Sequence, residues 1–513
     1  MSHQAQSAPP IAGSSDVRSV ARGGVLNIGG AAVATAVNVL IVLVITRNFS
    51  QTTAGIFFSV TSVFLIIETV AKLGTTTGLV YFLSRNRALK RPEQNLPVLK
   101  AALVPVLALA LISGLALVLL APRIAESVVR GDAGEFVTLL QISAVFLPLA
   151  ALSETCLAAT RGFGEMRSTV SIDRVLRPSL QLLLIFAIAV IGTTPLLSAA
   201  WAGPYLPAAV LALLALRRLY RRSPRSRVGA QTQLGVFWRF TAPRAVASVA
   251  QLALQRLDIV LVAALRGPAE AAIYTAATRF LVVGQLGSQA IALAVQPQLG
   301  VHLARENLDE ANKLYRTATA WLVLMTWPLY LMAVAFAPYL LAVFGAGYAQ
   351  GAVVVTVLCL TMLVATGCGM VDMVLSMAGR TSWNLTNSLL ALAINVALNL
   401  WLIPPLGILG AAIAWSVAIL VNNLLPLAQV GLALGLHPFG KATRTAAVLS
   451  VLGFGVLPGL TQLAGASALI ALLLSTLVGG AGFVWGCWRH RETLALMSLH
   501  ALRRSSRPPT DPA

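Results

Sequence analysis

Charge is scarce in this chain of 513 residues: only 11% of it is Asp, Glu, Lys or Arg, and acids are the scarcest part, 17 against 37 Lys and Arg. A chain so poor in charge and 58% apolar cannot clothe a soluble core in polar surface. Cysteine is nearly absent. Cys156, Cys359, Cys368 and Cys487 all fall in apolar runs without metal-ligand spacing, which predicts small core residues rather than disulfides or a metal site. The five histidines are scattered, with His302, His437 and His490 near polar loops. There is no GxxxxGK[ST] loop and no polar insertion long enough for a nucleotide-hydrolysing domain. Catalysis by metal, cofactor or nucleophilic triad has no sequence signature here, and the expectation is a non-enzyme with no cofactor and no metal.

What is present is apolar length. Fourteen runs of about twenty residues or more lie between positions 24 and 488, each enough to cross a hydrocarbon layer of about 30 Å. The prediction is an all-α polytopic membrane protein. Residues 1–23 read as a polar N-terminal tail, since the first apolar run is too long for a cleavable signal, and 489–513 read as a C-terminal tail. With both tails cytoplasmic, nearly all loop Lys and Arg fall on the inner side, and only Arg47, Arg123, Arg130 and Arg266 fall outside. The net charge of +20 is then inner-loop charge facing anionic lipid headgroups, with no case for nucleic acid.

Residues 217–235 contain RRLYRRSPRSR and divide the apolar runs into six before (24–216) and eight after, of which 236–434 hold six and 435–488 the last two. Arg47 with Ala54-Gly55-Ile56-Phe57 and Arg266 with Ala271-Ala272-Ile273-Tyr274 recur at nearly the offset that relates Ala159-Thr160-Arg161 to Ala378-Gly379-Arg380. That spacing predicts an internal repeat of six helices, related by an axis along the membrane normal, with a site between two lobes. By the same offset Glu68 aligns with Gln285. The last two helices carry few polar residues and read as a lipid-facing addition.

The stretch 271–297, AAIYTAATRFLVVGQLGSQAIALAVQP, is too polar for plain lipid. At helical spacing Tyr274, Thr278, Gln285, Gln289 and Gln296 share one face, and Arg279 stands one residue off it. An intramembrane cation costs about 2.5 kcal/mol or more on insertion scales, so Arg279 should face a wet cavity or a partner. The seventh run repeats the pattern with Arg244, Ser248, Gln251, Gln255 and Asp258, which hydrated space explains better than ordinary helix contact. Arg256 lies on another face and needs a partner, for which Glu154 or Asp372 is available. In the second run Glu68 and Lys72 form an i,i+4 pair; a private salt bridge and a role in a cavity both remain open. Asp173, Arg174 and Arg177 lie near the inner end, where snorkelling or interfacial pairing accounts for them. Asn384, Ser388, Asn395 and Asn399 line one side of the eleventh run. A cavity with Arg279 and with Arg244, Arg256 and Lys72 nearby favours an anionic cargo, whose outward movement runs with an inside-negative potential.

LDIVLVAALRGPAEAAIYTAATRF…AVQPQL at 257–299, FAPYLLAVFGAGY at 336–348, MAGR at 377–380, INVALNLWLIPPLGILGAAIAW at 394–415 and RNFSQTTAGIFF at 47–58 together resemble the polysaccharide flippases of the multidrug/oligosaccharidyl-lipid/polysaccharide (MOP) exporter superfamily, over about 24–435. The resemblance implies two six-helix lobes in a pseudo-twofold V with two C-terminal helices. It also implies alternating access that carries a polyprenyl-pyrophosphate-linked oligosaccharide to the outer leaflet of a bacterial cytoplasmic membrane, beside polysaccharide polymerase and ligase partners. Arg279, assisted by Arg256 or Arg244, is then expected to hold the pyrophosphate. Gln251, Gln255, Gln285 and Gln289 would bond the sugar, and Glu68, Lys72 and Asp258 would couple an ion or balance charge. Lipid II flippases and drug exporters of the same architecture are the alternatives. Against the first stands a first helix without internal arginine, and against the second a first helix without an acid; a scaffold for glycan assembly is the non-transport reading.

Overall fold

A computed structural model describes residues 14–129, 133–222 and 234–496. Arg130, residues 223–233 of the expected linker, and the outer parts of both expected tails, 1–13 and 497–513, lie outside the described residues. The described chain is helical, and fourteen spans follow one another: α1 Ser14–Asn48, α2 Gln51–Ala88, α3 Pro92–Val128, α4 Gly134–Gly162, α5 Thr169–Ile191, α6 Leu197–Arg222, α7 Leu234–Arg266, α8 Pro268–Ala304, α9 Leu308–Ala335, α10 Ala346–Met377, α11 Thr381–Leu406, α12 Ile408–Leu434, α13 Lys441–Leu463 and α14 Ala468–Arg489. α1 begins well before the apolar run at 24, because residues 14–22 hold no proline or glycine and loss of hydropathy alone does not end a helix.

Several spans are interrupted where the sequence demands it. α2 breaks at Lys72–Gly74, with Leu73 at φ 50 and Gly74 at φ 67, and resumes at Thr75. α4 bends by 41° at Phe146, beside Pro148, which cannot donate to the helical ladder. Residues Thr169–Leu176 of α5 form a π-helical turn just before Pro178. The wider turn moves the Arg174 carbonyl away from the proline ring that would otherwise strike it. Pro458 of α13 follows another such turn, Leu452–Val456, for the same reason.

Packing within the first six spans is repeated in the next six. α1 packs on α5 as α7 packs on α11, α4 on α3 and α6 as α10 on α9 and α12, and α2 on α4 as α8 on α10. Across the lobes α2 meets α8, while α2–α7 and α1–α8 form a pair that exchange under the same twofold. α13 lies against α9, outside the twelve-helix unit, and α14 crosses it where Gly453 and Gly479 let the backbones touch.

The cores reveal the V. At the end opposite the basic loops one apolar cluster joins both lobes, with Ile45, Phe57, Phe64 and Phe136 on one side and Ile259, Val262, Tyr274 and Leu358 on the other. Toward the basic end the core splits. One cluster holds Leu79, Phe82, Leu99, Leu157 and Ala212 of the first lobe, and a separate one holds Ile291, Val295, Leu299, Tyr315 and Leu375 of the second. Phe237 of α7 is the exception. It joins the first lobe's cluster, and Tyr81 of α2 stacks on Phe240 at 4.3 Å, so the α2–α7 side is sealed. Among the residues of α1 whose side chains are described, 26–48, none joins either basic-end core. The molecule is therefore open toward the basic end.

Candidate functional site

The polar faces of α7 and α8 follow this opening. On α7 the face that carries Gln251 and Gln255 is exposed, and its continuation toward the closed end, Asp258 and Val262, is buried. On α8 the face of Gln285, Gln289 and Gln296 is exposed, while Tyr274 and Ala271 on the same face are buried. A face buried where the lobes meet and open where they part is one that lines the space between them. All four glutamines expected to touch cargo lie on these two walls.

Arg279 stands where the faces change from open to closed. Its side chain is buried, and among the described residues its hydrogen bonds run to its own helix, from Nε to the Thr275 carbonyl at 3.1 Å and from Nη2 to Thr278 Oγ1 at 3.1 Å. Arg256 of α7 is half-buried, near enough to Arg279 that their charges oppose each other, and near enough to Tyr205 of the first lobe to interact with it. Neither has a carboxylate partner among the described residues. The partners expected for Arg256 are engaged or remote: Glu154 is taken by Lys72, and Asp372 does not pair with it. Two unneutralised guanidiniums in a low-dielectric site make a strong anion receptor, and their planar forks match phosphate oxygens.

Arg244 is not part of this pair. Twelve residues from Arg256, it lies about 18 Å further toward the basic end. There its guanidinium covers the Phe240 ring at 3.7 Å and donates to the Phe240 carbonyl at 2.8 Å. Its position is the mouth of the opening rather than its apex.

Asp258 is buried among neutral partners. Tyr274 donates its hydroxyl to Oδ2 at 3.0 Å and Asn399 donates Nδ2 to Oδ1 at 2.8 Å, tying α7, α8 and α11 together. The arginines are thus not balanced by Asp258 through any ion pair. Glu68 and Lys72 do pair, at 3.2 Å, but the pair is not private: Lys72 also bonds Glu154 of α4. Glu68 therefore points into the first lobe, where its charge finds a partner, whereas the aligned Gln285 is exposed on the opposite lobe. The equivalence of these two positions in the repeat stops at the backbone.

Deeper in the first lobe Arg177 bonds Asp173 at 2.8 Å, reaches Gln181 at 3.3 Å and lies over the Tyr205 ring at 4.9 Å. Of the two accounts, snorkelling or interfacial pairing, pairing describes Arg177, whose partners lie on α5 and α6. Sequence reasoning allowed for the pairing of Asp173 with Arg177 but missed Tyr205 above it and Glu154 as a partner of Lys72. The available signal was local: Asp173 and Arg177 are spaced i,i+4, as Glu68 and Lys72 are. The contacts to Tyr205 and Glu154 join distant segments and have no local signature. Cys156, Cys359 and Cys368 are buried free thiols, and Cys487 is a half-buried one.

A family profile described as polysaccharide biosynthesis protein matches residues 20–301, more than half of the chain, and a second, MatE, matches residues 243–401. No curated protein sequence matches significantly. Among solved structures the chain resembles the lipid II flippase MurJ in an inward closed conformation, with a TM-score of 0.72 at 12% identity over 92% of this chain and 99% of that one. It also resembles a multidrug resistance MATE-family transporter of the MOP superfamily in an inward-facing conformation, with a TM-score of 0.64 at 15% identity over 78% of this chain and 94% of that one. A MOP-superfamily transporter from Pyrococcus furiosus gives 0.53 at 17% identity, with coverage of 82% and 97%. At these identities the likeness is one of fold.

Proposed function

From the premise that the chain belongs to the polysaccharide biosynthesis protein family within the MOP superfamily of transporters, we propose that it flips a polyprenyl-pyrophosphate-linked oligosaccharide between membrane leaflets. The observation that carries this reading is the pair of buried Arg279 and half-buried Arg256 at the apex of the inter-lobe opening, with no carboxylate among the described residues to neutralise them. Two adjacent cations would repel each other and favour the separated lobes until an anion bridges them. A pyrophosphate offers enough oxygens to engage both forks at once. Gln251, Gln255, Gln285 and Gln289 on the walls supply donors and acceptors that suit sugar hydroxyls, and the prenyl chain stays in the surrounding lipid.

In this reading the basic end is cytoplasmic, with both termini there, and the opening loads cargo from the inner leaflet of the bacterial plasma membrane. Closure at that end and parting of the shared core at the other would release it outward, where polymerase and ligase enzymes would take it up. Outward movement of negative charge gains about 2.3 kcal/mol per charge per 100 mV. Ion coupling through Glu68, Lys72 or Asp258 is not needed for that direction, and charge balance is the role we assign to the first two.

The fold likeness to a lipid II flippase makes lipid II the second cargo to test, since it presents the same pyrophosphate. The deciding experiment is leaflet translocation of labelled polyprenyl-pyrophosphate oligosaccharides and of lipid II in proteoliposomes, with wild type beside Arg279→Ala. Flipping of the oligosaccharide by wild type and loss in the variant supports the proposal. Flipping of lipid II alone reassigns the cargo, and no flipping of either brings forward a small-molecule exporter or a scaffold.

A further inference from the structure

The strongest concentration of unneutralised charge lies outside the inter-lobe opening. Arg217, Arg218, Arg221 and Arg222 end α6, and Arg218 and Arg222 reach across to Arg167 and Glu165 of the α4–α5 connection, enclosing a cleft of about 470 Å³. A second cleft of about 400 Å³ opens on the other side of the same two arginines, against Arg217, Arg221 and Leu214. Glu165 is the single carboxylate here, and its Oε1 already accepts a hydrogen bond from Ser168 at 2.9 Å. None of the five arginines forms a salt bridge among the described residues. The following stretch 223–233 adds Arg225 and Arg227 and contains no acid.

Arginines in the last turn of a helix complement its dipole, and inner-loop arginines fix topology. Neither account requires four of them on one turn and a half, nor a fifth converging from another connection. The surface just beneath is apolar and open: Val210, Leu211, Leu213 and Leu214 are exposed on the lipid side of α6. Cation above hydrocarbon is the pattern of an amphiphile with an anionic head.

We propose that this cleft is a binding site for an anionic phospholipid of the basic-end leaflet, its phosphodiester held by Arg218 and Arg222 and its acyl chains laid along Leu214 and Val210. The site belongs to the first lobe alone and does not depend on the identity of the cargo. A bound lipid would anchor the end of α6 at the membrane surface, at the point where the chain leaves the first lobe for the second.

The test is titration of the purified full-length chain with phosphatidylglycerol and, separately, phosphatidylcholine of the same acyl chains, read by native mass spectrometry. Arg218→Gln/Arg222→Gln is compared with Lys441→Gln/Arg444→Gln, which removes equal charge at another basic loop. Each cation near an anionic surface contributes about 1 kcal/mol, so the first double variant should bind phosphatidylglycerol about 30-fold more weakly. The second should bind like wild type, and phosphatidylcholine should be retained weakly throughout. Millimolar inorganic pyrophosphate should not displace the lipid. Equal losses in both double variants, equal retention of the two lipids, or displacement by pyrophosphate would each overturn the assignment, the last in favour of a soluble phosphate as occupant.

Discussion

Arg256 and Arg279 lie at nearly the same level of two antiparallel neighbours, each about 17 Å along its helix from the turn at Gly267, and their charges oppose each other with no ion-paired carboxylate among the described residues. That distance is about half of a hydrocarbon layer about 30 Å thick, and a cation within such a layer is costly. In the proposed function an anionic cargo offsets that cost.

Replacing Arg279 with Ala should lower cargo translocation about 10- to 100-fold, the range expected for losing charged hydrogen bonds to an anion. Arg279→Lys should fall between, since an ammonium keeps the charge but not the fork. Arg244→Ala, at the mouth, should cost less than either. Initial rates in proteoliposomes with matched reconstitution check the order, and an Arg244 effect equal to that of Arg279 would remove the apex from the mechanism.

Lys72 is shared between Glu68 and Glu154, so Lys72→Met should destabilise by about 1–3 kcal/mol, because it leaves the buried Glu68 without its cation beside a partly exposed Glu154. Adding Glu68→Gln and Glu154→Gln should recover much of that loss. Thermal midpoints in detergent for the single, double and triple variants measure the coupling; strictly additive effects would mean the three groups do not act together.

Asp258 accepts from both Tyr274 and Asn399, so Asp258→Asn must turn a donor toward one of them. A loss of about 1–3 kcal/mol is expected, against about 1 kcal/mol for Tyr274→Phe. A thermal midpoint unchanged by Asp258→Asn would show that the carboxylate does not tie α7, α8 and α11 together.

Gly55 and Gly74 mark the two ends of the α2 contact with the second lobe. A Cβ at Gly55 would overlap the Pro268 carbonyl, and one at Gly74, whose φ is 67, would meet Ala245 N at 2.6 Å. Gly55→Ala should part the lobes at the closed end, and Gly74→Ala should loosen the α2–α7 side at the basic end. Spin-label distances between Thr52 and Tyr339 should lengthen in the first variant and stay unchanged in the second.

The hydropathy of the chain was enough to count its spans, and the distribution of Lys and Arg was enough to say which loops share a side, because both depend on transfer of residues into lipid one segment at a time. The repeat was legible for a related reason: the short sequences at the helix turns recur. The faces of α7 and α8 were legible as well, since a stripe of Gln251 and Gln255 or of Gln285 and Gln289 is a matter of helical period alone. Partnership was not. Glu68 and Lys72 could be read along one helix as a private pair or as part of a cavity, and the third member, Glu154, comes from α4; Arg256 looked in need of an acid, yet none pairs with it among the described residues. Only the tertiary structure decided which charges are neutralised and which have no opposite charge beside them among the described residues. Neutralisation is set by distances between segments far apart in the chain, and a local pattern carries no information about them.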